Sequence, residues 1–261
     1  MTRMPALLAL LAATALFTTT RVAANDERHD DDTEVFGPWS APVNLGPIVN
    51  SSATDAGPNI SRDGLSLYFH SARGAAANNP DLYVSRRAAI DLPWEAPVNL
   101  GPAINSDVAD AGPTLVKNDR YLLFGSFRSG SFDLFISRRK PGDDLAWEPP
   151  VPLPAPINGP SFDVPGDVFD GAPGGAEFYF ASDRANGFGT VGLDLYVSIL
   201  RRDGTFSDPV YVAELNSAFQ DARPAIRSDG LEMILGSARE GNLELYMSSI
   251  FSTTRFAGCS V

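Results

Sequence analysis

Cysteine is almost missing from this sequence. Cys259 is the sole one among 261 residues, so no intramolecular disulfide can form and no thiolate metal site can be assembled. Histidine is nearly as scarce, with His29 and His70 only, and neither an H-E-x-x-H helix nor a G-x-S-x-G elbow occurs. The usual zinc-hydrolase and serine-hydrolase signatures are thereby excluded. Positive charge is also short: 20 Lys and Arg against 32 Asp and Glu give a net charge of -12. Such a field repels phosphate, so neither nucleic acid nor an anionic membrane surface is an expected partner. The apolar stretch from Pro5 to Phe17 has 13 residues, too few to span ~30 Å of hydrocarbon, and a membrane-spanning segment is not expected in the mature chain.

What the sequence does hold is enough apolar material, 44%, to bury a sizeable core, together with 23 Gly and 21 Pro that punctuate it. Its N-terminus has the form of an export signal: Arg3, the apolar stretch, then the small residues Val22, Ala23 and Ala24. Residues 1–24 are read as a signal peptide cleaved after Ala24, which implies a periplasmic or secreted protein. Residues 25–35 form an acidic leader, expected to be disordered, with six acidic residues between Asn25 and Glu34. The remainder, 36–258, is expected to be one domain and a monomer.

The sequence repeats itself. Trp39, Trp94 and Trp147 each open a phrase of the kind W-x-x-P-V-x-L, and Phe206 opens a fourth, with spacings of 55, 53 and 59 residues. After each phrase an Asn is followed five residues later by an Asp: Asn50 and Asp55, Asn105 and Asp110, Asn158 and Asp163, Asn216 and Asp221. Every unit then carries an apolar run ending in Ser-x-Arg, at Arg73, Arg128, Arg184 and Arg239, and a further run beginning at Asp81, Asp133, Asp194 or Glu244. Four short β-rich runs per unit, separated by turn residues, describe a four-stranded antiparallel blade. Tandem blades at this period describe an all-β chain folded as a β-propeller. Four blades are expected, with Pro38 to Gly46 supplying the outer strand of the last one and closing the array.

The phrase P-x-I-S-x-D-G-x-x-L-Y-F-x-S-x-R with D-L-Y-V-S resembles the WD40-like repeat of the TolB type, over roughly residues 36 to 250. That resemblance implies a propeller scaffold that mediates protein contacts in a cell envelope.

With the strands of a blade lettered a to d outward from the axis, the d-to-a and b-to-c connections emerge on one face. Asp55, Asp110, Asp163 and Asp221 all lie there, at the start of the inner strand. Two readings fit a carboxylate that recurs in every repeat. It caps backbone N–H groups and holds its own loop, or the four converge as an acidic mouth that binds a hard cation such as Ca²⁺. Arg223 breaks the pattern, standing where units one and two have Gly57 and Gly112. The longer b-to-c loops of units one and three bring Asn78, Asn79, Asn186 and Phe188 as ligand-binding candidates on the same face. His70, beside Ser71, is the weak catalytic candidate, since neighbours on a strand point to opposite faces. The repeat arginines are expected to pair with Asp81, Asp133, Asp194 and Glu244. The function expected is binding of a protein or glycan partner; the alternative is a carbohydrate-active hydrolase or lyase.

Overall fold

Unbroken apolar runs such as Leu67 to Phe69 and Phe178 to Ala181 suit strands covered on both faces, as happens when each sheet is sandwiched between neighbours. In a computed structural model of the chain, which describes residues 43–74, 79–143, 145–169, 175–185, 192–201, 203–227 and 230–249, they form central strands of this kind. The expected signal peptide and acidic leader, and Cys259, lie outside the described residues. Of the unit Met1–Val43 only Val43 is described, and the strands all belong to the unit that begins at Asn44.

Fifteen strands form four antiparallel sheets among the described residues. The first blade runs β1 (Asp55–Ile60), β2 (Ser66–Ser71), β3 (Asp81–Arg86) and β4 (Val98–Asn99). The second runs β5 (Asp110–Val116), β6 (Tyr121–Ser126), β7 (Asp133–Arg138) and β8 (Val151–Pro152). The third runs β9 (Asp163–Phe169), β10 (Ala176–Ser182), β11 (Asp194–Leu200) and β12 (Val210–Tyr211). The fourth has β13 (Asp221–Ile226), β14 (Glu232–Ser237) and β15 (Glu244–Ser249) among the described residues. Strands follow chain order across every sheet, each joined to the next by a hairpin or short loop. The architecture is the all-β, four-bladed propeller that the repeat predicts. No helix among the described residues is long and apolar enough to cross a membrane.

The blades pack face to face through apolar layers. Tyr68, Leu82 and Val84 of the first blade meet Leu122 and Phe124 of the second, with Ile104 and Trp147 completing the layer. Leu134 and Leu123 meet Phe178 and Phe180 in the same way, and Leu195 and Tyr179 meet Met233 and Leu235. Each of the three d-to-a connections between blades is clamped to the c strand by its asparagine. Asn105 accepts from Leu82 N–H at 2.8 Å and donates to Leu82 C=O at 3.0 Å. Asn158 does the same with Leu134, at 2.9 Å in both bonds, and Asn216 with Leu195, at 2.7 and 2.9 Å. An amide carries one donor and one acceptor at the right separation to replace a missing strand neighbour, which explains why Asn recurs at this position.

The inner strands β1, β5, β9 and β13 pack consecutively. Each carries a β-bulge, where Gly57, Gly112, Pro165 and Arg223 meet around the centre. Among the described residues no strand of the fourth blade lies against a strand of the first. Residues 43–46 form no strand, and the rest of the expected closing segment, Pro38 to Pro42, lies outside the described residues.

Replacing Asn158 by Ala strips the buried Leu134 N–H of its acceptor and leaves Leu134 C=O with Leu153 N–H as its remaining donor. A loss of about 1–3 kcal/mol is expected for one orphaned backbone N–H, read as a lower urea midpoint with the slope unchanged.

Candidate functional site

The chemistry-bearing residues gather where the inner strands begin. In each blade the last residue of the b strand is a serine paired in register with the acidic residues that open its neighbours: Ser71 with Asp55 and Asp81, Ser126 with Asp110 and Asp133, Ser182 with Asp163 and Asp194, Ser237 with Asp221 and Glu244. All four serines are fully buried. Two residues on, an arginine folds back over this row.

Arg128 shows the arrangement completely. Its Nη2 donates to Asp110 Oδ1 at 2.6 Å and to Ile104 C=O at 2.6 Å, and its Nε donates to Ser126 Oγ at 2.9 Å. Its guanidinium lies about 5 Å from the ring centres of both Phe124 and Phe135. Arg73, Arg184 and Arg239 repeat it, with Arg–Asp distances of 2.5, 2.9 and 3.0 Å to Asp55, Asp163 and Asp221. The other carboxylate oxygen is capped from within the loop: Asp110 Oδ2 accepts from Ser106 N–H at 2.6 Å and from Ser106 Oγ at 2.8 Å. Ser51 and Ser217 serve Asp55 and Asp221 alike.

This corrects the pairing expected from sequence, in which the arginines met Asp81, Asp133, Asp194 and Glu244. The serine row places an acid on both sides of the b strand, and the arginine turns inward to the a-strand acid. Asp81 accepts instead from Asn99 at 2.8 Å, and Asp133 from Ser129. Nor do Asp55, Asp110, Asp163 and Asp221 turn toward one another as an acidic mouth. Each is held in its own loop with an arginine against it, and no group of three or more His, Cys, Asp or Glu among the described residues is arranged to hold a metal ion. Burial opposes the charge on Asp55, but hydrogen bonds from Ser71, Arg73 and Ser51 outweigh it and hold its carboxyl down at about 2.

The third unit departs from the others. Gly159 stands where Ser51, Ser106 and Ser217 stand, and Asp163 Oδ2 is a buried oxygen without a hydrogen-bond partner. Burial pushes the Asp163 carboxyl up, an effect reinforced by Asp133. Asp167, also raised by burial, accepts from Ile226 N–H of the fourth blade at 3.0 Å. Asn59 makes the same link from the first blade to Leu115 N–H of the second, at 3.0 Å.

His70 and Arg223 occupy the centre. Gly112 N–H donates to His70 Nδ1 at 3.3 Å, tying the first blade to the second, and Ser71 Oγ is taken by Arg73, so no Ser-His pair exists. Burial and then the nearby Arg223 charge lower the His70 pKa to about 4, partly offset by Asp55. Arg223 has a φ of 54°, a left-handed conformation that Gly57 and Gly112 adopt at the matching position without a side chain to strain. Its guanidinium reaches over Gly112, and no carboxylate pairs with it among the described residues. The side chain remains exposed, while the surrounding protein lowers its pKa by desolvation.

Among the loop candidates, Asn79 donates to Asp107 C=O at 3.1 Å and is half-buried. Asn78, Asn186 and Phe188 lie outside the described residues. Sequence reasoning did not find an apolar cavity of about 260 Å³ between the second and third blades, lined by Leu123, Ile136, Val168, Phe178 and Phe206 with Lys117 at its polar side. Nothing in a repeat signals such a gap, because it arises from how two blades meet.

No family model matches the sequence, and no curated protein does. Solved structures of similar fold include an alpha-L-arabinofuranosidase from Lactobacillus brevis, 15% identical with a TM-score of 0.50, the alignment covering 73% of this chain and 64% of that one. TolB from Acinetobacter baumannii is 16% identical with a TM-score of 0.46, over 74% of this chain and 40% of that one. A putative TolB from Agrobacterium tumefaciens is 15% identical with a TM-score of 0.49, over 77% and 60%. The chain thus spans under two thirds of either TolB structure, and identities this low establish the propeller fold alone.

Asp110→Asn removes the charge of a fully buried carboxylate that faces a half-buried arginine and is expected to cost about 2–3 kcal/mol. Gly159→Ser meets open space at its Cβ and brings a hydroxyl toward Asp163 Oδ2, so a gain of about 1 kcal/mol is expected. Urea denaturation of both variants beside the wild type is the measurement. For His70, a folded pKa of about 4 against 6.5 for the free side chain means that its contribution is complete above pH 6.5 and is lost as pH falls toward 4. The amplitude is at most about 3 kcal/mol. Stability measured from pH 7 to 4 is expected to fall less steeply in His70→Asn, whose amide oxygen keeps an acceptor for Gly112 N–H.

Proposed function

We propose that this chain is an exported β-propeller binding protein of the TolB-like kind, which recognises a protein or glycan partner through the face where the inner strands begin. The observation that carries the reading is Arg223: a charged side chain held in a strained left-handed backbone at the centre, open to solvent and without a carboxylate partner among the described residues. Strain of this kind costs of order 1–3 kcal/mol and is concentrated at functional sites. A guanidinium in that position suits an anionic group of the partner, a carboxylate of an acidic glycan or of an acidic peptide. Asn79, which donates to Asp107 C=O, belongs to the same face. Export rests on Arg3, the apolar stretch after it and the small residues at Val22 to Ala24.

A hydrolase would need a free acid and base, whereas three of the four repeat aspartates have both oxygens engaged and His70 is buried and neutral. Titration calorimetry against acidic and neutral oligosaccharides and peptides is the test. Binding of acidic members is expected to weaken at least about tenfold in Arg223→Gly. The same variant is expected to be about 1 kcal/mol more stable, because glycine accepts the left-handed conformation. Equal affinities for wild type and variant would remove Arg223 from the site, and release of reducing sugar by the wild type would favour the hydrolase.

A further inference from the structure

The internal junctions define a rule that the fourth blade does not complete. In each of the first three blades the c strand binds an outer d strand and the connection after it through a fixed set of bonds. Leu82 C=O accepts from Leu100 N–H at 3.0 Å as well as from Asn105, and Pro80 C=O accepts from Asp110 N–H at 2.9 Å. The second blade repeats them with Leu153 to Leu134 at 2.8 Å and Asp163 to Phe132 at 2.8 Å. The third repeats them with Val212 to Leu195 at 3.1 Å and Asp221 to Leu193 at 2.7 Å. Leu82, Leu134 and Leu195 are all fully buried.

By register the fourth member is Leu245 on β15, and it is 81% exposed, with Met247 at 66% and Leu243 at 59%. β15 pairs only with β14 among the described residues, which leaves a strand edge of unpaired backbone groups beside exposed apolar side chains.

The cognate piece is already folded at the other end of the same unit. Asn44 Oδ1 accepts from Gly46 N–H at 2.7 Å and from Asn50 Nδ2 at 3.0 Å, and Asn50 N–H donates to Gly46 C=O at 2.9 Å. These bonds match those of Asn99 with Gly101 and Asn105, at 2.7 and 2.8 Å, and of Asn105 N–H with Gly101 C=O at 2.8 Å. The loop that should clamp a c strand is preformed, and Leu45 beside it is 49% exposed where Leu153 and Val212 are buried.

We propose that the edge of β15 is a docking site for the Asn44–Asp55 segment of a second copy of this chain, joined head to tail. The segment's Asn44 and Leu45 lie along β15 as Asn99 and Leu100 lie along β3. Its Leu45 N–H and Asn50 amide engage the Leu245 peptide, and its Asp55 N–H bonds Leu243 C=O, as at the three internal junctions. The occupant is a second copy because each of the three built junctions fixes the angle between its blades, and with those angles no described strand of the fourth blade reaches the first. A second molecule brings the same head without disturbing packed layers. The association is heterologous, so it closes as a small ring or continues as a longer assembly. It departs from the monomer expected from sequence and is independent of the role proposed for Arg223.

The test is the mass of the full chain by light scattering across a dilution series, with two variants. Asn50→Ala blocks the head and Leu245→Glu blocks the tail, and neither residue takes part in an internal junction. The wild type is expected to show twice the monomer mass or more, falling on dilution. Each variant alone is expected to be monomeric, and an equimolar mixture of the two to form a dimer, since one contributes a sound tail and the other a sound head. Near-ultraviolet circular dichroism confirms that both variants are folded. A wild type that stays monomeric throughout overturns the proposal, and protection of the Leu245 amide from hydrogen exchange in that monomer would identify the chain's own head as the occupant. Variants that associate as the wild type does, or a mixture that stays monomeric while the wild type dimerises, overturn it as well.

Discussion

The interaction on which the rest depends is the inward-turned arginine of each Ser-x-Arg element. One guanidinium links the a-strand carboxylate, the b-strand serine, a backbone carbonyl of the d-to-a connection and, in the first three blades, the faces of two aromatic rings. Few residues could hold so many partners at once. Arginine does so because its donors are fixed in a planar fork and its charge is delocalised over a surface that stacks on rings. Burying an unpaired charge here would be costly, so aspartate and arginine are retained together. The Asn clamp then attaches the next connection to the strand beside it, and the blade is defined.

That pairing has a chemical consequence. The acidic residues that outnumber the basic ones do not gather into a negative mouth among the described residues, because each repeat aspartate already faces an arginine. What remains unmatched at the centre among the described residues is positive: Arg223, with the neutral imidazole of His70 beside it. The same arginine helps to explain why His70 resists protonation. The variation between repeats, rather than their common part, therefore carries the functional information, and the third unit shows its cost. Losing a serine at Gly159 leaves Asp163 with an unsatisfied buried oxygen.

Much of this was legible in the chain. The strand order and the blade count follow from four copies of one phrase, since a repeat that alternates apolar runs with Gly, Pro, Asn and Asp has few other ways to bury itself. Arg223 was legible as an exception at a glycine position. The partner of each arginine was not. Asp55 and Asp81 both flank Ser71, and only the twist and register of the sheet decide which of them the side chain reaches. The cavity between the second and third blades was hidden for the same reason, being a property of two surfaces rather than of any segment.

The sequence by itself determined the blade: its four strands, its asparagine clamp, its serine and arginine, and the glycine-permissive bulge at the centre. These are local or near-neighbour properties, encoded within one period of the repeat. Only the tertiary structure decided how blades meet, which acids are neutralised, what stands at the centre and where the array leaves an edge. Those outcomes depend on angles between packed layers and on side chains from different repeats converging, and no single repeat contains that information.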